Sequence, residues 1–580
     1  MPESCQGVEY KENYLDYLVE YYSEELSPEN AQYCFHIASN RTAVIYKEGT
    51  DYRQDDNIGV KQIPRCYGLM SSAEVLEAMG VLRVRNQPGL ELFGQGVLVG
   101  FVDTGIDYTH PAFTEEDGSS RIIGIWDQTL EPMGTERSPL SMGYGVEYTR
   151  ENINEALSSD NPWKMLRSRD TNGHGTFLAG VACGRENPSR EFSGVAPLSL
   201  ICVVKCKEAK DNLKEYFCMS PDTGCYAESD IALGIRYLWE QSLRLGMPLV
   251  ICIGMGTNQG GHTRGGILGE LLQEYGDYRG VFSVISTGNE ANASHHYQSG
   301  AIAIGESVDV EIRVDEKEYG FTTELWTDAT DLYSVGLISP EGEYTGKIEA
   351  RFGGKREISF LFANTVVYVE YLLNAYENGD ECVRISIRNP GAGIWKIRVF
   401  NDNKYSSQFD LWLPITEFLQ GETIFLRSNP DLTICDPGNN PGVITAGAYK
   451  TADRSIYPDS GRGFSRNNVI KPDFVSPGVN VYGPLPFLGN ASMTEGEREE
   501  VARYGYRSGA SIAAATTAGA VCLLAEWALV RGNDLSMDTE RAKRYLIRGT
   551  DREGLTVPSR VWGNGILNLF AGFDILRPRG

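Results

Sequence analysis

GVLVGFVDTGID, residues 96–107, is the stretch that decides the fold of this chain. It begins as an uninterrupted apolar run, which is typical of a strand buried on both faces of a sheet, and it ends in a turn that carries Asp103. Further apolar runs at residues 200–205, 249–253 and 281–287 alternate with helical stretches. This alternation predicts an α/β fold in which helices cover a parallel sheet.

The patterns divide the chain into a small first unit, a sheet region, a β-rich region and a return to the sheet region: residues 1–70, 71–304, 305–422 and 423–580. In the first unit, residues 14–22 have the apolar spacing of a helix. Residues 31–37 and 42–46 alternate like two strands. The first unit is therefore expected to be a small α+β domain.

The β-rich region consists of short strands separated in many places by Gly, Pro, Asn or Asp turns, and helical periodicity is nearly absent from it. The predicted strands are residues 308–314, 321–326, 357–362, 366–372, 383–388, 395–400 and 409–413. Such a run is typical of an antiparallel sandwich or jelly roll. Because α/β patterning resumes afterwards, with a long apolar helix over residues 509–529, the β-rich region is interpreted as an insertion.

Charge and cysteine usage limit the possible partners. The net charge of −25 argues against nucleic acid, since phosphate contacts need Lys/Arg patches. The 12 cysteines are scattered without a CxxC pair, which argues against zinc and favours a reducing or disulfide-independent setting. Four of them, Cys183, Cys202, Cys252 and Cys522, are expected to be buried as small hydrophobes.

Asp103, His174 and Ser511 are the candidate catalytic residues. His174 lies between glycines in DTNGHGTFLAGVACG (170–184), and Ser511 opens a small-residue helix in YRSGASIAAATTAGAV (506–521). A serine hydroxyl is a weak nucleophile until a base such as histidine takes its proton. A buried aspartate can hold the imidazole in the required tautomer. The three residues are far apart in sequence, so the fold has to bring them together.

A fourth segment, VFSVISTGNEANAS (281–294), places Asn289 at the end of a strand. The N–H group of its side chain is a candidate donor to a negatively charged oxygen that forms during a reaction. Asp107 is expected to stabilise a turn. His295 and His296 are expected at the surface or at a groove rim, and His262 is expected in a loop.

These segments resemble the subtilase family of serine proteases. DTGID (103–107), GHGT (173–176), TGNE (287–290) and GASIAAA (509–515) are similar to the family's Asp, His, Asn and Ser blocks. The resemblance covers roughly residues 95–300 and 425–570. It implies a serine endopeptidase with Asp103, His174 and Ser511 as the triad and Asn289 as the oxyanion donor.

The segment VICIGMG (250–256) resembles the strand that lines the substrate groove of the family, so Gly254, Met255 and Gly256 are expected there. Gly254 stands where the family usually has serine, which leaves the substrate preference open. Ala510 and Ala515 stand where the family's GTSMAAP motif has Thr and Pro.

More narrowly, the short first unit, GTFLAG (175–180) and the β-rich insertion are similar to the Csp proteases of spore-forming clostridia. This resemblance implies that residues 1–70 are a prodomain that the enzyme cleaves off and that can stay bound in the groove. The tail before Ser71 places autocleavage near Met70–Ser71. The resemblance also implies that the zymogen of a spore-cortex hydrolase is the protein substrate, in germination.

Alternatives remain open at this point. One alternative is a catalytically silent regulatory pseudoprotease. A second is a housekeeping or gut-exported protease without a spore role. For the first unit, the alternative is an ordinary added domain. No cofactor is expected: calcium is common in subtilases, but no calcium loop stands out. The N-terminus lacks the pattern of a signal peptide and no run of about 18 apolar residues occurs, so a cytoplasmic or spore-associated location without a membrane span is expected.

Overall fold

A nine-stranded sheet forms the centre of the computed structural model. The structure describes residues 5, 7–21, 33–52, 63–67, 76–362, 364–375, 379–486 and 503–574. In spatial order the strands are Ser455–Ile456, Ile444–Lys450, Val281–Ser286, Leu249–Ile253, Leu98–Asp103, Leu200–Lys205, Ile122–Asp127 and Val146–Thr149, with Phe474–Pro477 also paired to Ile444–Lys450. Neighbours are parallel except for the antiparallel strands at the two ends of this order. The prediction of a parallel α/β sheet is confirmed.

Helices cover both faces of this sheet. His174–Cys183 and Ala510–Ala525 contribute to one apolar core, and Glu228–Leu245 contributes to the core on the other face. Alternate side chains of the strand Leu98–Asp103 enter the two cores, which explains why its sequence is apolar throughout. The α-helices are Val81–Asn86, Arg150–Leu157, Pro162–Met165, His174–Cys183, Asp211–Tyr216, Glu228–Leu245, Gly266–Gly276, Ala510–Ala525, Thr539–Arg548 and Leu569–Asp574.

One helix in the described part of the chain, Ala510–Val530, is long and apolar enough to cross a membrane, and it includes a π-helical end at Glu526–Val530. It is 89% buried within the protein. It packs against the strands Val281–Ser286 and Ile444–Lys450 and against the helix His174–Cys183. Its apolar composition is therefore that of a core helix.

The first unit contains a three-stranded antiparallel sheet of Tyr14–Glu20, Thr42–Glu48 and Cys34–Ile37, in that order. The predicted helix at residues 14–22 is therefore wrong, because residues 14–20 form a strand. Leu15 and Tyr17 enter one apolar cluster and Leu18 enters another, so apolar side chains lie on both faces. This two-sided burial hid the alternation of a one-sided strand.

A disulfide joins Cys5 to Cys34 within the first unit. The expectation of a disulfide-independent chain is therefore wrong for this pair. Among the described residues, nine further cysteines lie outside any disulfide, and all of them are buried. The expected burial of Cys183, Cys202, Cys252 and Cys522 is confirmed.

The β-rich region forms two antiparallel sheets around a shared apolar core. The six-stranded sheet runs His296–Gln298, Asp410–Trp412, Gly320–Thr327, Asp380–Arg388, Thr365–Ala375 and Lys355–Phe360. The four-stranded sheet runs Tyr333–Ile338, Gly393–Asn401, Ser307–Val314 and Ile424–Phe425. Every predicted strand of this region overlaps a strand of the structure. The strands His296–Gln298, Tyr333–Ile338 and Ile424–Phe425 were missed.

Two short antiparallel pairs complete the fold. Val481–Leu485 pairs with Arg503–Arg507 beside the helix that begins at His174. Cys66–Tyr67, at the end of the first unit, pairs with Tyr226–Ala227 of the sheet region.

Candidate active site

Asp103 is the last residue of the central strand Leu98–Asp103 and is 1% exposed. The carboxyl ends of parallel strands are where α/β folds collect functional groups. The backbone N–H of Thr104 donates to Asp103 Oδ1 at 2.8 Å. This hydrogen bond holds the carboxylate in place.

His174 is the first residue of the helix His174–Cys183. It follows Gly173, whose φ of +85° lies in the left-handed region that favours glycine. The carboxylate of Asp170 accepts from the N–H of Gly173 at 2.7 Å and from the hydroxyl of Thr176 at 2.6 Å. These contacts fix the turn that presents the imidazole.

The Asp and His segments approach each other so closely that Gly175 has no room for a side chain. A Cβ there would lie 2.2 Å from the carbonyl oxygen of Gly105 and 3.1 Å from Asp103 Oδ1. The N–H of Gly175 also donates to Thr104 Oγ1 at 3.0 Å. The glycine after the histidine is therefore a packing requirement of the site.

The three candidate catalytic side chains form a hydrogen-bonded line. His174 Nδ1 lies 2.8 Å and 3.0 Å from the two carboxylate oxygens of Asp103, and His174 Nε2 lies 3.1 Å from Ser511 Oγ. His174 and Ser511 are 3% and 0% exposed. A buried imidazole between a carboxylate and a hydroxyl can take the hydroxyl proton while the carboxylate stabilises the imidazolium that forms.

Ser511 is the second residue of the helix Ala510–Ala525. This position places its hydroxyl at the positive end of the helix dipole, where backbone N–H groups have no partner within the helix. Negative charge that develops next to Ser511 is therefore stabilised by the helix itself.

Asn289 lies beside the start of this helix. The backbone N–H of Ala510 donates to Asn289 Oδ1 at 2.9 Å. Since Oδ1 acts as the acceptor, the Nδ2 group is the donor that this side chain has left to offer. Gly288 before it has a φ of +82°, and a Cβ there would lie 2.3 Å from Cys435 Sγ.

The three residues expected in the substrate groove differ in which of their atoms face the candidate triad or a core. A Cβ on Gly254 would lie 2.9 Å from Ser511 Cβ and 3.1 Å from His174 Cε1, so the backbone of Gly254 lies directly against the candidate triad. The side chain of Met255 is fully buried in an apolar core, which leaves only its backbone for a groove. Gly256 lies against Cys435. Met70 and Ser71 lie outside the described residues.

Burial and nearby carboxylates act on the pKa values of two side chains, Tyr226 and Arg507. Burial, followed by the carboxylate of Asp103, raises the pKa of Tyr226. Burial lowers the pKa of the Arg507 guanidinium, whereas Asp170 and Asp103 act in the opposite direction.

The other histidines of the chain are all buried. His295 is buried and lies 2.6 Å from the carboxylate of Glu290. His262 and His296 stack on Trp412 at ring distances of 4.1 Å and 4.7 Å. His262 lies in a loop, as expected. The expectation that His295 and His296 lie at the surface is wrong, because both are buried.

The turn-stabilising role expected of Asp107 is confirmed: its Oδ1 accepts from the N–H and the hydroxyl of Thr109 at 3.0 Å and 2.6 Å. Sequence reasoning missed Asp170, Thr104 and Thr176, which hold the Asp and His segments together. Asp170 and Thr176 lie within the quoted DTNGHGT segment, so its polar residues were the available signal. Sequence reasoning also missed Arg65, which contacts the sheet region at Gln259 and Gly265.

Comparisons with known proteins agree with this geometry. A family model described as the subtilase family matches residues 94–335 and 421–565, and the unmatched residues 336–420 fall within the β-rich region. The structure of the CspB protease of Clostridium perfringens is 30% identical in sequence, with a TM-score of 0.74, over 87% of this chain and 98% of that chain.

Two curated proteins match shorter stretches. Subtilisin-like protease SBT2.3 of Arabidopsis thaliana is 31% identical over 141 residues, which are 21% of this chain and 16% of the plant protein. Thermitase of Thermoactinomyces vulgaris is 22% identical over 256 residues, 44% of this chain and 70% of thermitase. The chain thus spans only a small part of the plant relative. Because the family model covers more than half of the chain, the chain belongs to the subtilase family.

Proposed function

We propose that the protein is an endopeptidase that cleaves peptide bonds through an acyl-enzyme. The observation that carries the proposal is the single imidazole of His174, which lies 2.8 Å from Asp103 and 3.1 Å from Ser511. These distances are within the range that proton transfer requires. The buried setting strengthens both contacts.

In the proposed reaction, Ser511 Oγ attacks the carbonyl carbon of the peptide bond while His174 Nε2 takes the hydroxyl proton. Asp103 orients the imidazole and stabilises its charged form. The oxyanion receives hydrogen bonds from Asn289 Nδ2 and from the backbone N–H of Ser511. The C–N bond then breaks, His174 gives the proton to the leaving amine, and water releases the acyl group by the same steps.

A fluorophosphonate probe tests this proposal, because it reacts only with an activated serine. We expect the parent protein to be labelled and His174→Ala to lose labelling. His110→Asn is the matched control, since asparagine can still accept the hydrogen bond from the Ala112 N–H that His110 Nδ1 now accepts. An unlabelled parent protein would favour the catalytically silent regulatory alternative.

Asn289→Ala is expected to lower kcat by about 10²–10³-fold with little change in KM, because an oxyanion donor acts mainly in the transition state. Asn292→Ala, an exposed asparagine of the same loop, is the control and should change neither constant. Steady-state kinetics on a fluorogenic peptide separates the two constants. A raised KM with an unchanged kcat would assign Asn289 to substrate binding instead.

We also propose that residues 1–70 act as a prodomain that the enzyme removes itself, with the β-rich residues 305–422 as an inserted domain. The support is the antiparallel pairing of Cys66–Tyr67 with Tyr226–Ala227, which adds the end of the first unit to the sheet region as a substrate strand would be added. The proposed cleavage at Met70–Ser71 lies three residues beyond Tyr67.

Self-processing is tested on a denaturing gel and by N-terminal sequencing. The parent protein should run as two bands and Ser511→Ala as one full-length band. A new N-terminus at residue 71 would support the proposed site. Two bands from Ser511→Ala would contradict self-processing.

The resemblance to Csp proteases supports a further step: the natural substrate is the zymogen of a spore-cortex hydrolase. The match to the CspB protease over 98% of that chain favours this role over a housekeeping or gut protease. Incubation of the processed enzyme with such a zymogen should release one shortened product. No cleavage of the zymogen by an enzyme that hydrolyses other proteins would favour the alternatives.

A further inference from the structure

Arg65, at the end of the first unit, is 3% exposed and its guanidinium lies inside the sheet region. One terminal nitrogen donates to the carbonyl oxygen of Gln259 at 2.6 Å and lies 3.2 Å from Asp436 Oδ2. The other donates to the carbonyl oxygen of Gly265 at 2.8 Å and lies 3.4 Å from Glu228 Oε1. Two carboxylates and two carbonyls therefore surround one guanidinium, and all four belong to the sheet region or its return.

The walls of this pocket are shaped for the guanidinium. A Cβ on Gly266 would lie 1.3 Å from a terminal nitrogen of Arg65, and a Cβ on Gly260 would lie 2.3 Å from the other. Both glycines have left-handed φ angles, +62° and +116°. The space that a side chain would fill at each position is the space that the guanidinium occupies.

The pocket continues the groove that leads to the candidate triad. The N–H of Glu228 donates to the carbonyl oxygen of Arg65 at 2.8 Å, which extends the pairing of Cys66–Tyr67 with Tyr226–Ala227 by one residue. Along the opposite segment, Gly254 touches the triad and Gln259 follows five residues later. A peptide added as a strand to this edge therefore presents one side chain to the pocket.

The charges of the pocket favour a cation in it. Glu228 and Asp436 are 3% and 0% exposed, and buried carboxylates without a nearby cation are costly. An arginine matches acceptors on several sides of a plane, whereas the ammonium of lysine is a point charge with three donors. The pocket thus favours arginine over lysine and both over neutral side chains.

We infer that this pocket is a substrate subsite for arginine in the processed enzyme. When the first unit leaves, the arginine of a protein substrate takes the place of Arg65, one residue before the substrate residue that pairs with Ala227. This inference rests on the proposed protease function. It names a recognition element well away from the scissile bond.

Internally quenched peptides test the subsite without altering the enzyme. The reference peptide has the sequence of residues 63–75 with serine in place of Cys66, and its partners carry citrulline, a neutral isostere, or lysine in place of Arg65. With processed wild-type enzyme, citrulline should lower kcat/KM by about tenfold or more, equivalent to at least about 1.4 kcal/mol of binding. The lysine peptide should fall between the two.

Asp436→Asn tests the subsite by a change in the enzyme. Asparagine is chosen because its Oδ1 can still accept the hydrogen bond that Asn439 Nδ2 donates to Asp436 Oδ1 at 2.9 Å. This variant should lose the preference for arginine over citrulline. Asp410→Asn, a buried acid paired with His296, is the control and should keep the preference. If Asp436→Asn does not fold, the peptide series decides alone.

Equal kcat/KM for the arginine and citrulline peptides would overturn the inference and leave the pocket as an anchor of the first unit only. An enzyme that takes the fluorophosphonate probe but cuts none of the peptides would also overturn it, because the groove is then closed to substrates. Failure of the protease function itself looks different: neither labelling nor hydrolysis is then observed.

Discussion

Ser511→Ala should lower kcat on a fluorogenic peptide by about 10⁶-fold, which is close to the loss caused by removing a whole triad. The reason is that alanine cannot form the acyl-enzyme, and His174 then has no hydroxyl proton to accept. The residual rate comes from the oxyanion donors and substrate binding. Because the variant cannot process itself, it is first cut by tagged parent enzyme, which is then removed.

Thr517→Val is the matched control for this experiment. Thr517 lies on the same helix, is equally buried, and its hydroxyl has no hydrogen-bond partner among the described residues. Valine keeps the shape of the side chain, so activity should stay within a small factor of the parent. A Ser511→Ala protein that retains more than about 1% of kcat would contradict the assignment of the nucleophile.

Asp103→Asn should lower kcat by about 10⁴-fold while the fold is retained. An asparagine amide can donate to His174 Nδ1, which stabilises the tautomer that carries its proton on Nε2 and therefore cannot accept the proton of Ser511. The carboxylate that stabilises the imidazolium is lost at the same time. Stopped-time assays with concentrated enzyme measure the remaining rate.

Asp107→Asn is the control for charge removal in the same turn. Its Oδ1 accepts from the N–H and the hydroxyl of Thr109, and an asparagine oxygen can accept both bonds. The variant should keep most of kcat. Equal losses in Asp103→Asn and Asp107→Asn would indicate a damaged turn and not a lost member of a triad.

Much of the sheet and the candidate site could be predicted because their signals are local. The strand that ends at Asp103 is apolar throughout, since both of its faces are covered. The glycines around His174 are required by a left-handed φ at Gly173 and by the carbonyl contact at Gly175. Residues whose type is dictated by their immediate backbone leave a readable pattern in the sequence.

Other predictions failed where distant segments decide the environment. Residues 14–20 have apolar side chains that enter two different cores, so their spacing imitated a helix. His296 was expected at the surface or at a groove rim, but it is buried and Trp412 of the β-rich region stacks on it. A short window of sequence does not contain the partner that buries a residue.

The arginine pocket shows the same limit for function. Arg65 stands in the sequence beside a proline and a cysteine, with no acid nearby. Its acceptors come from three separate parts of the chain, around Glu228, Gln259 and Asp436. Only the folded arrangement makes these groups into one recognition site.

The sequence by itself determined the parallel α/β sheet and most strands of the β-rich region, and it supplied the candidates for base, nucleophile and oxyanion donor. The sheet and strands follow from periodicity, and the candidates follow from short motifs that resemble those of the subtilase family. The tertiary structure alone decided that His174 lies between Asp103 and Ser511, which histidines are buried, and where Arg65 binds. These depend on contacts between residues that are 71 to 371 positions apart, which the packing of the sheets sets and no local pattern records.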